Sequence, residues 1–239
     1  MRWQLRVVIG AAGAALLLPA AGSSASADAL DEDELRQALL DHMDFPEDWA
    51  VDSAEAEQQR GIGVPTPQDE ACGGLFDSSA PTTASTGFAR SFSGPFVTTT
   101  AAGHGGEEEA RAAMEDFRRA GEECDSFESV EGAGHGPSEL TVVYRSGEAD
   151  TVTMDDSVAD EVASVRFERE QESEQAPEVL AEAALVRVGE HTVMVAQAGR
   201  DDPGTGDLKP MVERAVEKLQ DVADGRTPEP PSGISGTDL

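Results

Sequence analysis

The strongest constraint on the fold of this chain is a run of short strand-like segments with no helical pattern between them. In residues 162–168, for example, alanine, valine and phenylalanine alternate with polar residues. A Gly189-Glu190-His191 turn between the last two segments is typical of a hairpin. The segments after the midpoint of the chain are 127–130, 140–145, 151–154, 162–168, 179–188 and 192–198. Clustered strands with polar outer faces predict an α+β fold, in which helices pack against an antiparallel β-sheet.

Two further strands and four helices complete the predicted fold. Residues 86–93, with Phe88 and Phe92 on one face, and residues 96–102 flank a hairpin corner at Gly94-Pro95. The predicted helices cover 31–43, 67–76, 107–124 and 208–222, and the third has glutamates at its start. Residues 50–66 show no period and predict a loop or an irregular strand.

The first 27 residues have the layout of a secretory signal peptide. Arg2 and Arg6 precede an apolar run, and Ala25-Ser26-Ala27 offers small residues at a cleavage site. The run of about 15 residues is shorter than a membrane-spanning helix, and this region has no cysteine to carry a lipid anchor. We expect cleavage after Ala27, a secreted domain over 28–224 that does not insert into membranes, and a disordered tail over 225–239.

Cys72 and Cys124 are the only cysteines. An exported protein with two cysteines most often pairs them, which predicts a disulfide. Two free thiols, or a metal site with further ligands, are the alternatives.

The formal net charge of −31 is extreme for 239 residues. Such a surface repels nucleic acid and anionic membranes, so neither is an expected partner. The acids are scattered along the chain, which favours a solubility or high-salt adaptation over one dedicated cation site. Lysine occurs only at 209 and 218 and asparagine is absent, as in proteins of GC-rich genomes, and with export this suggests an actinobacterium.

No catalytic, cofactor or metal motif stands out. Ser85, in Thr83-Ala84-Ser85-Thr86-Gly87, lacks the first glycine of a nucleophile elbow. No histidines form a His-Glu-x-x-His pattern, and His191 is expected to be solvated in its turn. Residues 201–207 carry three aspartates, which suit either a calcium loop or a turn with Asp207 as a helix cap. We predict no catalytic residue, no cofactor and no metal.

The candidates for binding a ligand are Trp49 and three arginines on strands. Arg145, Arg166 and Arg187 would bind an anion if they shared one face of a cleft. Cross-strand pairing with acids such as Glu168 is the alternative. Trp49 either lines a pocket or anchors the core.

Five features together resemble one family, the extracellular sensor domain of PknH-type serine/threonine kinases and its secreted or lipoprotein relatives in actinobacteria. They are an N-terminal helix ending in Phe45-Pro46-Glu47-Asp48-Trp49, the run Cys72-Gly73-Gly74-Leu75-Phe76, a helix leading into Cys124-Asp125-Ser126-Phe127, the hairpin over 185–193 and a C-terminal amphipathic helix. The resemblance implies an antiparallel sheet backed by helices, disulfide support, a ligand-binding cleft and no catalysis.

Three functions follow from these observations. The first is a secreted, non-enzymatic, sensor-like domain that binds an extracellular ligand or a partner in the cell envelope. The second is a structural or envelope protein without a small ligand, whose sheet faces would be filled by helices. The third is a secreted hydrolase, which would need a cluster of catalytic groups. A pocket on the sheet separates the first from the second.

Overall fold

The computed structural model describes residues 30–78, 80–132, 140–148, 152–155, 158–171, 178–200 and 208–231. The predicted signal peptide, His135, the aspartate loop at 201–207 and the end of the predicted tail lie outside these ranges. The predicted helix-cap role of Asp207 and the calcium loop therefore stay predictions.

Eight strands form one antiparallel sheet, which confirms the predicted fold class. They are β1 (Ala50–Val51), β2 (Thr82–Ala89), β3 (Phe96–Gly103), β4 (Ser126–Glu131), β5 (Leu140–Ser146), β6 (Glu161–Arg169), β7 (Val179–Val188) and β8 (His191–Arg200). Their order across the sheet is β1-β2-β3-β8-β7-β6-β5-β4. The hairpin β7–β8 lies at the centre, where Val186 pairs with Val193 and Ala184 with Val195.

The described ranges contain four helices: α1 (Glu32–Gln37), α2 (Ala54–Arg60), α3 (Glu107–Glu123) and α4 (Leu208–Ala223). Helix α4 packs with α1 on one side, which we call the α4 face, over Val97, Val186, Val193 and Val195. Leu219, on α4, is fully buried there. Burial of this apolar stripe is the main source of stability for such a helix.

The opposite side, which we call the α3 face, is covered by α3 and by a 3₁₀ turn at Gly73–Leu75. Phe127, Tyr144 and Phe167 pack on one another below this turn, with Phe127 and Tyr144 stacked at 5.2 Å between ring centroids. The predicted disulfide between Cys72 and Cys124 is confirmed, with a Cα–Cα distance of 5.6 Å. It ties the 3₁₀ turn to the C-terminal end of α3.

Several predicted boundaries are wrong. The first helix ends at Gln37 because Asp41 begins a separate 3₁₀ turn at His42–Asp44 by capping it with its side chain. The predicted helix over 67–76 is instead a series of turns that ends in the 3₁₀ turn. The second strand runs from Thr82 to Ala89 and leaves Phe92 exposed in the loop before Gly94-Pro95.

Two other segments also differ from prediction. Residues 152–154 are irregular rather than a strand, and Val152 packs into the core of the α4 face. Helix α2 lies inside the predicted loop 50–66. None of its residues is buried, so it has no hydrophobic period, but Ser53 caps its start and Gly61, at φ 70°, ends it.

No helix within the described ranges combines the length and the apolar run that crossing a bilayer requires.

Candidate functional site

A groove of about 540 Å³ opens on the α3 face, between α3 and residues 70–81. Helix α3 turns Ala112, Ala113 and Ala120 toward the groove, and such short side chains do not reach the opposite wall. The disulfide holds that wall, because Cys72 lies within it and Cys124 follows the last turn of α3. Small residues on one side and a covalent link at one end therefore produce an open groove.

The floor of the groove is apolar and belongs to the central hairpin of the sheet. Leu185 of β7 and Met194 of β8 are neighbours in register, and Phe117 of α3 lies beside them. All three are buried. A ligand in the groove would therefore contact a hydrophobic surface at its base.

The rim of the groove carries five carboxylates and one arginine. Glu70 and Asp77 stand on the wall formed by residues 70–81, and α3 contributes Glu109, Asp116 and Glu123. Arg119, the one arginine, forms an ion pair with Asp116. Among the residues that the structure describes, none of the other four carboxylates has an ion-pair partner.

One end of the groove is closed by a buried imidazole. His104 Nε2 lies 3.0 Å from Thr192 Oγ1, and the His104 backbone N–H donates to the Glu190 carbonyl at 3.1 Å. Burial lowers the pKa of His104, and nearby His191 lowers it further, while Glu109 opposes the shift. The imidazole is therefore neutral at neutral pH and does not add a positive charge to the groove.

Two smaller cavities lie elsewhere. One, of about 350 Å³, lies between residues 57–68 and strand β4. The other, of about 270 Å³, lies between α3 and β6 and includes Arg166 in its lining. The second also has buried apolar residues, Phe117 and Phe167, in its lining, but both cavities are smaller than the groove.

The structure does not bring the three candidate arginines together. Arg145 and Arg166 alternate with residues of the α3-face core, so they project from the α4 face, whereas Arg187 projects from the α3 face. Arg166 lies 3.4 Å from Glu182, its register partner on β7, and Arg145 pairs with Glu170. These contacts match the cross-strand alternative for Arg145 and Arg166; ligand binding by any of the three stays a prediction.

Arg187 belongs to a cluster of ion pairs at the edge of the α3 face. Its Nε lies 2.9 Å from Glu161, and Arg118 of α3 lies 2.8 Å from the same carboxylate. Burial raises the pKa of Glu161, but hydrogen bonds from Arg118 and Arg187 outweigh it and lower the pKa overall. The cluster ties α3 to the sheet, and none of its members lines the 540 Å³ groove.

Trp49 lies against the core of the α4 face, half-buried, on the opposite side of the sheet from the groove. Its ring centroid is 5.0 Å from that of Phe45, which stacks on Phe88 at 4.4 Å. This packing matches the core-anchor alternative, and a pocket role for Trp49 stays a prediction.

The expectation that His191 is solvated is wrong. His191 begins β8 and is buried, because the N-terminal segment crosses over it and the Leu30 backbone N–H donates to its Nε2 at 3.2 Å. Burial lowers its pKa, while Glu190 and Glu34 oppose the shift. The turn consists of Gly189 and Glu190 alone.

A buried ion-pair network between α4 and the 3₁₀ turn at His42–Asp44 was not predicted. Lys218 Nζ lies 2.9 Å from both Asp41 and Asp44, and Arg214 Nε lies 2.7 Å from Asp44. The sequence contains a trace of this network, because Lys218 occurs on the apolar stripe of α4. The Arg214 guanidinium also donates to the Glu229 carbonyl at 2.5 Å, which fixes the start of the C-terminal tail.

No group of three or more His, Cys, Asp or Glu side chains within the described residues is arranged to hold a metal ion.

Comparison with solved structures identifies a similar fold. No protein-family model and no curated protein sequence matches the chain. Its structure is similar to the crystal structure of the extracellular domain of PknH from Mycobacterium tuberculosis, with a TM-score of 0.54 and 11% sequence identity. The match covers 82% of this chain and 98% of that domain. At this identity the likeness establishes a shared fold.

Proposed function

We propose that this chain is an extracellular, non-enzymatic, sensor-like domain that binds its ligand in the groove on the α3 face. The observation that carries the proposal is the groove itself. Its volume of about 540 Å³ falls in the range of small-molecule sites, roughly 300–1,000 Å³. Such sites combine apolar surface with polar groups that orient the ligand, and here the buried apolar floor and the charged rim provide the two. The fold shared with a solved extracellular domain supports the same conclusion.

Export is part of this proposal. The first 27 residues carry the three parts of a signal peptide. The Cys72–Cys124 disulfide agrees with an oxidising compartment, where such bonds persist. The ligand is then a molecule outside the cell or a component of the cell envelope. N-terminal sequencing of the exported protein should begin at Asp28, and an intact Met1 would contradict export by this route.

The second function, a structural or envelope protein without a small ligand, requires helices to fill both faces of the sheet. Helices fill the α4 face, as a protein without a small ligand requires, but the α3 face is left open. The hydrolase alternative has a single imidazole–hydroxyl contact in the groove, between His104 and Thr192. Thr192 is buried, and no described carboxylate accepts a hydrogen bond from His104. We therefore favour binding without catalysis.

Native mass spectrometry of the chain, purified from the culture medium of its own host, tests the proposal. The protein is measured before and after organic extraction, beside two tryptophan variants. Gly74 lines the groove and a side chain there would meet no atom within 4 Å, so Gly74→Trp projects into it. Gly73 also has open space around it but does not line the groove, so Gly73→Trp is the matched control.

We expect an additional mass on the wild type and on Gly73→Trp that extraction removes, and none on Gly74→Trp. A bare wild-type chain would contradict the proposal, and so would an additional mass that survives in Gly74→Trp. Thermal unfolding of both variants confirms that each is folded.

A further inference from the structure

We infer, resting on the proposed function, that the ligand of the groove is a linear aliphatic polyamine. Four features of the groove define this chemistry: the unpaired carboxylates, their spacing along α3, the apolar floor and the neutral end.

The number of carboxylates without an ion-pair partner sets the groove apart from the two smaller cavities. Each smaller cavity includes one such acid among its described residues, Glu57 or Glu122, and the other acid there, Glu131, pairs with Arg169 at 2.9 Å. On the groove rim, Glu70, Asp77, Glu109 and Glu123 have no such partner among the described residues. The rim therefore concentrates negative charge that a cationic ligand would neutralise.

The carboxylates are spread along the groove rather than gathered at one point. Glu109, Asp116 and Glu123 follow one another at seven-residue intervals on α3, so they share one side of the helix. The two without ion-pair partners, Glu109 and Glu123, are about 20 Å apart along the helix axis, and Asp116 between them pairs with Arg119. One metal ion binds oxygens at roughly 2.4 Å and cannot bridge such distances. Several ammonium groups separated by methylene chains match the spacing.

The floor favours the methylene chains of such a ligand over a hydrated inorganic ion. Leu185, Met194 and Phe117 present buried apolar surface between the two charged walls. Methylene groups placed on this surface gain hydrophobic contact, while a hydrated ion gains none. The ligand's apolar segments would lie at the base and its ammonium groups at the rim, as lysine side chains arrange themselves on protein surfaces.

The closed end does not repel a cation. His104 is held by Thr192 as a buried imidazole. The one arginine of the rim, Arg119, is already neutralised by Asp116. An anionic ligand, by contrast, would face four unpaired carboxylates and no free cation among the described lining residues.

Titration calorimetry with spermine tests the inference on the full exported chain. The groove variant is Glu70→Gln with Glu123→Gln. The matched control is Glu108→Gln with Glu115→Gln, which removes the same charge from exposed positions of α3 that do not line the groove. Because both variants change the net charge equally, non-specific attraction of spermine by an acidic protein affects them alike.

We expect one spermine per chain, with affinity about tenfold weaker in the groove variant and within about twofold of wild type in the control. Raising the salt concentration should weaken binding, since partly exposed charges are screened. Gly74→Trp should abolish the single-site binding and Gly73→Trp should retain it. Thermal unfolding again confirms that each variant is folded.

Three results would overturn the inference. Equal weakening in both double variants would show that spermine binds the surface charge in general. A hexa-arginine peptide that binds in the groove while spermine does not would make the ligand a basic peptide. If spermine does not bind but a mass from the medium is still lost in Gly74→Trp, the proposed function stands and the polyamine inference alone fails.

Discussion

The two faces of the central sheet use the same strands but are covered in opposite ways. On the α4 face, two helices and the segment around Val152 fill the surface with large apolar side chains. On the α3 face, one helix and a 3₁₀ turn cover the sheet, and the alanines of α3 leave a groove. The α4 face is therefore closed by packing, and the α3 face is held open.

The interactions that fix the covering elements on each face also differ. On the α4 face they are the buried ion pairs of Lys218, Asp44 and Arg214. On the α3 face they are a disulfide and the ion-pair cluster around Glu161. A groove costs buried apolar contact, because side chains that line open space lose partners on one side. We infer that the disulfide compensates for contact that the α3 face lacks.

The largest expected effect comes from removing the disulfide. Cys72 and Cys124 are 52 residues apart, and opening a loop of this size should lower the free energy of unfolding by about 4 kcal/mol. Urea unfolding of the Cys72→Ser/Cys124→Ser variant measures this loss, and the reduced wild type should show the same loss. A change below about 1 kcal/mol would refute the view that the α3 face depends on its covalent link.

The second test removes Lys218 from the buried ion-pair network of the α4 face. Lys218→Met should cost about 3 kcal/mol, because it leaves Asp44 buried with one cation fewer. Lys209, the other lysine, is partly exposed and pairs with Glu213 one turn away, so Lys209→Met should change stability by less than about 0.5 kcal/mol. Comparable midpoints for the two variants in urea would show that the network adds nothing beyond surface charge.

The sequence predicts the parts of each face that have a hydrophobic period. Strands β6 to β8 and helices α3 and α4 were predicted to within a few residues, since their apolar positions repeat at the spacing of a strand or a helix. The disulfide was predicted from compartment and cysteine count. Helix α2 was missed because it buries nothing, so only its caps at Ser53 and Gly61 mark it.

The sequence does not reveal the groove, the buried network of Lys218, Asp44 and Arg214, or the ion-pair cluster around Glu161. The groove depends on tertiary placement: Leu185 and Glu70 are far apart in the chain and meet only when the sheet and the disulfide form. In the sequence, Lys218 is a charged residue on the apolar stripe of α4, and its partners cannot be identified. Only the folded structure places Asp41 and Asp44 against it. Periodicity identifies which face of an element is buried, but not which distant segment covers it.

A smaller effect is expected from the two buried histidines, one on each face. His104 projects to the α3 face and His191 to the α4 face, and burial lowers the pKa of both. In the unfolded chain each titrates near 6.5. The stability that the two neutral imidazoles contribute is therefore fully present above about pH 6.5. It is lost as the pH falls below about 6.5 toward the lowered pKa of the folded state.

Glutamine variants isolate this contribution. His191→Gln and His104→Gln should each cost about 1 kcal/mol at pH 8, from a weakened buried hydrogen bond. The gap between each variant and wild type should narrow as the pH falls below about 6.5. His42 is exposed, so His42→Gln should change the free energy of unfolding at pH 8 by less than about 0.5 kcal/mol. A parallel curve for His191→Gln would show that Leu30 does not depend on a neutral imidazole.

The smallest expected effect is that of Arg145→Gln, and Arg187→Gln is the variant to compare it with, because the two arginines differ in burial. The side chain of Arg145 is 64% exposed and pairs only with Glu170 among the described residues, so Arg145→Gln should change the free energy of unfolding by less than about 0.5 kcal/mol. Arg187 is 8% exposed and contacts Glu161, Asp160 and the Gly189 carbonyl. Its replacement by glutamine should cost about 2 kcal/mol or more, because Glu161 loses a buried partner. Spermine affinity should be the same in both variants, since neither arginine lines the groove. If Arg145→Gln instead altered binding and left stability unchanged, the ligand would contact the α4 face, and the contrast between a closed face and an open one would have to be reversed.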